Sequence, residues 1–526
     1  MSAVSSYFSL AYLAVFLPGS VALYAVFRQR GRRLVLLAAS YIFFWSASGG
    51  LAVYMALATC TIHYAGLWLS DLQRSADDAL KDLPREERQP ARAAYIGKQR
   101  MVVALSSGIL LGILVTLKYS RFFATNINSL LGLLNLPFSL KIPGFILPIG
   151  ISFYTLQALG YVFDVYRRKI QADRNLLRLA LWMSFFPQII EGPICRYSET
   201  ASSLWDVRPI KFDNLVYGLE RILYGVMKKL VVADRLNLFI RNVFTDWPSH
   251  DGLVIAVAAI CYTIQLYMDF SGAMDMALGS AEVFGVYLPE NFRRPFFSRS
   301  ISEFWRRWHI TLGAWFRDYL FYPISMSRLA KRITKRSRGK RIMPPLSAVL
   351  ALGAVWFCNG LWHGSAWSYV FFGFYHFTLI LSGMFIGNLA DRMSIKRENA
   401  AWQALQITRT VILVCIGELF FRANGLRAGL GMFGRMFTSF SFRPITDGSI
   451  LRLGADGHDF AIVAIVLAMV LVVGILQERG IHIREWFARR SLALRVAGCY
   501  ALIMFIVVFG AYGAGYVPVD PIYAGF

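Results

Sequence analysis

Apolar residues recur along this chain in runs that are long enough to cross a lipid bilayer. A membrane-spanning helix needs about 20 consecutive apolar residues. Eight runs approach that length, at 51–70, 101–118, 145–163, 252–270, 366–386, 403–421, 460–477 and 496–516. Others are shorter or contain Pro or Gly, at 11–27, 34–47, 177–190, 217–232 and 346–362. The pattern predicts an all-α polytopic membrane protein with about ten to fourteen membrane segments.

Composition agrees with a protein that lies in the membrane. Of its 526 residues, 56% are hydrophobic and 16% are charged, whereas soluble domains carry about 25% charged residues. The net charge of +24 is concentrated in 293–341, where 14 lysines and arginines accompany only Glu303 and Asp318. In a soluble protein such a run would suggest nucleic-acid binding. In a membrane protein it indicates a cytoplasmic loop, so we expect the lipid bilayer as partner and no nucleic acid.

The positive charges also predict a topology. Further basic clusters lie at 28–33, 74–100, 166–169, 396–397 and 484–495, and the segments 48–50 and 438–459 are poor in positive charge. Two apolar runs separate successive basic clusters before residue 170 and again after residue 292, so the clusters are expected on the cytoplasmic side, with the hairpin tip at 359–365 facing outward. Prolines interrupt 170–292 and leave the count of crossings open there. Re-entrant helices are expected in that part of the chain.

One short stretch, "SISEFWRRWHITLGAWFRDYLFYPIS" (300–325), combines aromatic and basic residues. Helical spacing places the aromatic residues of 300–320 on one face and most of the charged residues opposite. Ser300 and Glu303 form a capping box that begins the helix. The stretch is therefore predicted to be one amphipathic helix at the membrane interface, with His309 at the border of its two faces. It could be an anchor without chemistry, or an entry site for an anionic acyl donor whose phosphates bind arginine.

A second histidine lies in "FCNGLWHGSAWSYVFFGFYHF" (357–377). His363 is at the tip of the 346–386 hairpin, and an ionisable side chain at membrane depth suggests function. Burial favours a neutral imidazole, which can accept a proton from an alcohol. The alternative is a histidine that hydrogen-bonds to backbone at a helix break. His376, in the middle of an aromatic helix, is interpreted as packing.

Motifs of other enzyme classes are absent from the sequence. There is no GxSxG elbow, Walker A loop, HExxH pair or GxGxxG after a strand. Six scattered cysteines show no metal-binding spacing, so neither a metal site nor a bound cofactor is predicted. Any catalysis must come from isolated polar residues in an apolar scaffold.

Six stretches together resemble the membrane-bound O-acyltransferases, and in particular the bacterial branch that acetylates alginate or transfers D-alanine to teichoic acid. They are "LPIGISFYTLQALGYVFDVYR", "SFFPQIIEGPICRY", "KKLVVADRL", "YMDFSGAMDMALG", "LPENFRRPFFSRSISEFWRRWHITLGAWFRDYLFYPIS" and "GLWHGSAW". They occur in order within the most family-like core, 147–386. The length of the chain favours the polysaccharide acetyltransferases. The tail "PVDPIYAGF" departs from the family's aromatic carboxyl terminus.

The resemblance implies a fold and an activity. The fold would be a ring of tilted transmembrane helices, with re-entrant helices, around a central tunnel, and 1–526 would form one integral membrane domain. The protein would lie in the bacterial plasma membrane. It would move an acyl group, expected to be acetyl, from a cytoplasmic thioester to an acceptor outside for O-acetylation of an exported polysaccharide. The donor would be acetyl-CoA or an acyl carrier protein, and an extracytoplasmic SGNH-type acetyltransferase is an expected partner.

Roles for individual residues follow from the same resemblance. His363 would be the active-site histidine, acting as general base or positioning a covalent acyl relay. His309 would orient the thioester carbonyl or protonate the leaving thiolate. Further candidates for substrate contacts are Arg306, Arg307, Arg317, Trp305, Trp308, Asp269 and Asp275, of which the two aspartates are interpreted as structural hydrogen-bonding groups near the tunnel. Three alternatives stay open: D-alanyl transfer from a carrier protein to teichoic acid, a transporter, and a non-catalytic subunit of a polysaccharide-export system.

Overall fold

The computed structural model describes residues 6–336, 344–393 and 399–512, and these residues form helices joined by loops. Extended pairing among them is limited to one isolated bridge, Phe292 with Trp308. The helices are α1 (Leu17–Val26), α2 (Gln29–Ser48), α3 (Ala52–Asp82), α4 (Arg85–Leu133), α5 (Ile151–Tyr166), α6 (Leu176–Ser184), α7 (Tyr197–Trp205), α8 (Phe212–Met227), α9 (Asp234–Thr245), α10 (Gly252–Val283), α11 (Ile301–Arg307), α12 (Ile310–Phe316), α13 (Tyr322–Ser325), α14 (Arg328–Arg336), α15 (Leu346–His363), α16 (Trp367–Arg392), α17 (Ala400–Arg422), α18 (Leu426–Thr438), α19 (Arg443–Thr446), α20 (Gly457–Glu478), α21 (Ile483–Ala488) and α22 (Leu492–Phe509). Short π-helical segments occur at Ala11–Phe16, Lys228–Ala233 and Arg317–Phe321.

Eight stretches of the described residues are long and apolar enough to cross a membrane. One of them, Gln29–Asp82, contains both α2 and α3; the others are α4, α10, α15, α16, α17, α20 and α22. The prediction of an all-α polytopic membrane protein is confirmed. The number of long spans is below the predicted one because four of the apolar runs form the shorter helices α1, α5, α6 and α8, of 10, 16, 9 and 16 residues. In addition, α2 and α3 are counted together as one stretch.

Several predictions concern residues that the structure does not describe. Residues 337–343 and 394–398 lie outside the described ranges, and with them the end of the basic segment 293–341 and the basic pair at 396–397. The tail at 518–526 lies outside them as well. The cytoplasmic placement of the basic clusters stays a prediction.

The chain divides into two compact units, one comprising residues up to Val216 together with Ser280–Pro289, and the other comprising Tyr217–Gly279 and residues from Glu290 onward. In the first unit, Gly150 directly precedes α5 as its N-cap residue, and its φ is +71°. A Cβ at this position would lie 2.1 Å from the carbonyl oxygen of Ile189. Glycine is therefore required for the loop at 185–195 to pack against the start of α5. The organisation of 1–526 as a single domain stays a prediction.

In the second unit, pairs of glycines bring helix backbones into direct contact. Gly225 of α8 lies against the carbonyl oxygen of Gly272 in α10, where a Cβ would be only 2.6 Å away, and Gly279 meets Gly218 in the same way. In the α15–α16 hairpin, a Cβ on Gly360 would lie 2.4 Å from the carbonyl oxygen of Tyr369. Such close approach is typical of packing between membrane helices. It fixes the helices that carry the candidate site.

Candidate active site

The stretch around His309 is not one continuous helix, so that prediction is wrong. Helix α11 ends at Arg307, and α12 begins at Ile310. Between them Trp308 bridges to Phe292, and His309 adopts left-handed backbone angles, with φ +47°. Backbone hydrogen bonds to the preceding loop replace the helical ones, including Ile310 N–H to the Asn291 carbonyl at 3.0 Å. Pairing with this loop outweighs the helical preference that the sequence spacing indicated.

Two other predicted features are the capping box and the buried aromatic face. The capping box is formed in part, because the Glu303 carboxylate accepts from the backbone N–H of Arg299 at 2.9 Å, one residue before the predicted partner Ser300. The Ser300 hydroxyl accepts a hydrogen bond from the Glu303 backbone N–H at 3.2 Å and caps α11. Most aromatic rings of the stretch are buried, as the predicted apolar face requires; Phe304, Trp308, Trp315, Phe316 and Tyr319 are each at most 9% exposed. The break changes the direction of the chain at the histidine, and it turns His309 into the protein.

His309 is buried among aromatic rings and beside one asparagine. Its side chain is 1% exposed, and its Nδ1 lies 3.3 Å from Oδ1 of Asn291. The imidazole meets the ring of Phe270 edge to face at 4.9 Å and the indole of Trp362 at 5.4 Å between ring centroids. Burial lowers the pKa of His309 to about 3. The imidazole is therefore neutral at physiological pH.

His363 is the last residue of α15 and is equally buried, at 1% exposure. The close packing of Gly360 in the hairpin holds it against α16. Its ring contacts Trp362 at 4.9 Å, Phe372 at 5.9 Å and Phe421 of α17 at 5.1 Å between centroids. The prediction that this histidine lies at a helix end is confirmed. Three helices thus fix the orientation of its ring.

The tertiary structure brings the two histidines to one side chain. Trp362 contacts the ring of His309 and also the ring of His363. We call these three residues the histidine–tryptophan cluster. The two histidines are 54 positions apart in the sequence, and only the packing of α15 against the loop before α12 places them together. Imidazoles can both accept and donate protons, so this pair can take part in acid–base chemistry.

Sequence reasoning missed two asparagines near this cluster. Asn291 belongs to the "LPENFRR" motif, is fully buried and contacts His309. Asn359 is one helical turn before His363 and is 6% exposed, and its Oδ1 has no hydrogen-bond partner within the described residues. Both could have been found from the sequence, because a polar asparagine inside an apolar or motif-rich stretch needs a hydrogen-bond partner when it is buried.

Trp305 and Trp308, predicted as substrate contacts, pack against other side chains of the second unit. The Trp305 indole N–H donates to Nδ1 of His376 at 3.2 Å and meets Trp356 at 4.9 Å. Trp308 is 2% exposed and stacks on Phe304. His376 itself is fully buried between Trp356 and Phe372. Their direct role in substrate binding stays a prediction.

The three candidate arginines differ in their surroundings. Arg306 is exposed. Arg307 forms ion pairs with Glu303 at 2.8 Å and with Glu478, at the end of α20, at 2.6 Å. Arg317 pairs with the neighbouring Asp318 at 2.9 Å. Of the three, Arg306 is therefore the one that can meet an incoming phosphate without first leaving a carboxylate.

The two candidate aspartates of α10 are bound in buried ion pairs. Asp269 accepts from Lys229 at 2.7 Å, and Lys229 also reaches Asp234 at 2.9 Å. Asp275 pairs with Lys228 at 2.6 Å and with Arg221 at 3.0 Å. The two lysines lie in the π-helical segment Lys228–Ala233, which turns both towards α10. This supports the interpretation of the aspartates as structural groups.

In the described part of the chain, no group of three or more His, Cys, Asp or Glu side chains is arranged so that it could hold a metal ion. The six cysteines are all free thiols.

Comparison with known proteins identifies the family. The model of the MBOAT, membrane-bound O-acyltransferase family, matches residues 167–422. A probable alginate O-acetylase AlgI of Pseudomonas putida is 33% identical over 429 residues, which cover 81% of this chain and 79% of that protein. The peptidoglycan O-acetyltransferase of Helicobacter pylori is 32% identical over 49% of this chain and 50% of its own length. The teichoic acid D-alanyltransferase of Bacillus subtilis is 30% identical over 52% of this chain and 68% of its own length. This chain belongs to the membrane-bound O-acyltransferase family.

Proposed function

We propose that this O-acyltransferase takes an acetyl group from a cytoplasmic thioester, acetyl-CoA, and delivers it across the membrane for O-acetylation of an exported polysaccharide. The observation that carries the proposal is the histidine–tryptophan cluster, in which two buried histidines contact one indole. Similarity to an alginate O-acetylase over about four fifths of both chains supports a polysaccharide as the final acceptor of the acetyl group. Of the three alternatives that the sequence left open, D-alanyl transfer has the similarity to the Bacillus subtilis enzyme in its favour.

The proposed reaction is acyl transfer from sulfur to oxygen. His363 takes the proton of the acceptor hydroxyl, and the hydroxyl oxygen attacks the carbonyl carbon of the thioester, so that a C–O bond forms. The tetrahedral intermediate then loses the thiolate as the C–S bond breaks. The proton on His363 returns to the thiolate sulfur, so that an ester and a free thiol leave and the imidazole is neutral again. Burial of both histidines keeps water, a competing nucleophile, away from the reacting carbonyl.

The donor is proposed to approach over the basic segment that precedes His309. Arg306 is exposed there, and guanidinium groups bind phosphate oxygens through charge-assisted hydrogen bonds. The remaining basic residues of 293–341 give this part of the chain a positive potential, which attracts the phosphates of acetyl-CoA.

Membrane vesicles of known orientation test donor and direction together. We expect inverted vesicles, whose cytoplasmic face is outside, to transfer label from added [¹⁴C]acetyl-CoA to polysaccharide in the lumen as base-labile ester. Right-side-out vesicles should transfer none, because acetyl-CoA does not cross the bilayer. Vesicles that contain the His363→Ala variant provide the background.

Other outcomes would favour the other functions. Label transferred only from a D-alanyl carrier protein would contradict the acetyl proposal and support D-alanylation. Movement of polysaccharide or its precursor without consumption of thioester would support a transporter.

Replacement of Arg306 tests the donor approach. We expect Arg306→Ala to raise the KM for acetyl-CoA by roughly 10- to 150-fold, because one hydrogen bond to a charged group contributes about 1.5–3 kcal/mol, while kcat changes little. Initial rates at varied acetyl-CoA in inverted vesicles measure both constants. Arg427→Ala, an exposed arginine at the start of α18, is the matched control. An unchanged KM would assign Arg306 to lipid headgroups.

A further inference from the structure

Asn291 lies in the loop between α10 and α11, and its side chain is fully buried. Its Oδ1 is at the centre of a small network. The backbone N–H of Thr311 and the hydroxyl of Thr311 each lie 3.0 Å from it, and Nδ1 of His309 lies 3.3 Å away. Its Nδ2 donates to the sulfur of Met274 at 3.3 Å. Both ends of this amide are therefore engaged, by α10, α12 and His309.

The network determines which atom of His309 carries the proton. A backbone N–H can only donate, so the atom that faces Thr311 N must be the amide oxygen and cannot be the nitrogen. An amide oxygen can only accept. Nδ1 of His309 must then be the donor in its contact with Asn291, and a neutral imidazole that is protonated at Nδ1 carries a lone pair at Nε2.

We propose that Asn291 is a positioning residue that holds His309 as the Nδ1–H tautomer, so that Nε2 accepts a hydrogen bond from an N–H or O–H group of the substrate. This inference rests on the proposed function. It changes the role expected of His309, because orienting the thioester carbonyl and protonating the leaving thiolate both need a donor at Nε2. In its resting state His309 accepts, and the proton for the thiolate comes from His363.

The groups around His309 support a neutral ring. From α10 the contact is the phenyl ring of Phe270, from α15 it is the indole of Trp362, and from the preceding loop it is the amide of Asn291. The nearest charged groups along these elements are bound elsewhere: Asp269 pairs with Lys229, and Glu290 pairs with Arg221 at 2.7 Å. Of the charged residues that directly precede His309 in the sequence, Arg307 forms ion pairs with two glutamates, and Arg306 is exposed.

Two substitutions at Asn291 distinguish tautomer control from packing. Asn291→Leu removes the acceptor, and we expect kcat to fall about 10- to 100-fold at every pH, as is typical when the partner that orients a functional imidazole is lost. Asn291→Asp keeps an acceptor at the same place and adds a charge that stabilises the imidazolium. Its kcat should be within about tenfold of wild type at pH 8.5 and should fall as the pH is lowered through the pKa of His309, which the new carboxylate raises. The wild-type profile shows any acidic loss that comes from protonation of the base His363, and the loss in Asn291→Asp should be additional to it.

The assay is the pH profile of kcat, together with the KM for each substrate, in inverted vesicles at matched protein level. A higher KM for acetyl-CoA in Asn291→Leu would assign the donated hydrogen bond to an amide N–H of the thioester arm, and a higher KM for the polysaccharide would assign it to a hydroxyl. Asn242→Leu is the control, since this exposed asparagine of α9 donates to the loop carbonyl of Leu453, away from the cluster.

The outcomes separate this inference from the proposed function. Wild-type kcat and pH profile in Asn291→Leu, with His363→Ala inactive, would overturn the tautomer assignment alone. Equal and pH-independent losses in Asn291→Leu and Asn291→Asp would show a packing role and overturn it as well. Wild-type activity of His363→Ala would overturn the proposed reaction, and wild-type activity of His309→Ala would remove the role assigned to His309.

Discussion

His363→Ala is expected to lower the rate of acyl transfer by about 10²- to 10⁴-fold, the usual cost of losing a general base. A sugar hydroxyl is a poor nucleophile while protonated, so its attack on a thioester needs a nearby group that accepts a proton near neutral pH. Among side chains, only an imidazole has an unperturbed pKa in that range. His363 is held by rings from α15, α16 and α17 and shares Trp362 with His309. Alanine would remove the base and leave this frame in place.

The measurement is the ester content of exported polysaccharide, and the initial rate in inverted vesicles, at equal amounts of membrane-inserted protein. His458→Ala is the matched control, because the side chain of His458 is 95% exposed and lies beside the neighbouring Asp456. His309→Ala should also be impaired, though less completely. If His363→Ala kept more than a modest fraction of wild-type acylation, the assignment of the base would be wrong, and a non-catalytic subunit would become the better interpretation.

Lys229→Met is expected to destabilise the protein by about 3–5 kcal/mol, as when one partner of a buried ion pair is removed. Lys229 is 3% exposed at its side chain and is shared by Asp234 and Asp269, which are 9% and 1% exposed. Without the ammonium group, two carboxylates would be left buried with their principal cation missing. The loss should appear as a lower midpoint of thermal unfolding in detergent and as less protein inserted in the membrane.

A triple variant tests whether the expected loss of stability comes from the two carboxylates that are left without their cation. Lys229→Met combined with Asp234→Asn and Asp269→Asn removes both negative charges with the positive one, and most of the lost stability should return, since replacing a whole buried ionic group is often close to neutral. Arg443→Ala is the control, because that arginine is 85% exposed and exposed ion pairs contribute about 0–1 kcal/mol. Equal stability of Lys229→Met and wild type would contradict the role assigned to this lysine.

The sequence determined the fold class and the family because both depend on properties that are local or cumulative along the chain. Apolar runs of spanning length follow from the thickness of the bilayer, so they can be read without tertiary information. The order of six motifs identified the family. Helical spacing also predicted which rings of 300–320 are buried, and capping chemistry placed the start of α11 at Ser300.

Tertiary structure alone decided how the site is assembled. Spacing predicted a continuous helix through His309, whereas backbone pairing with the loop at Asn291 and Phe292 breaks it. Local helix propensity does not take account of partners that are 14 to 19 positions away. The lysine partners of Asp269 and Asp275 come from a π-helical segment, and the hydrophobic pattern of the sequence did not predict that segment. The contacts of His309 and His363 with Trp362 depend on the packing of α15 against the loop before α12. The sequence therefore determined which functional side chains are present, and the packing of distant segments decided which of them are in contact. Such contacts depend on the shapes of complete helices, which local sequence patterns do not describe.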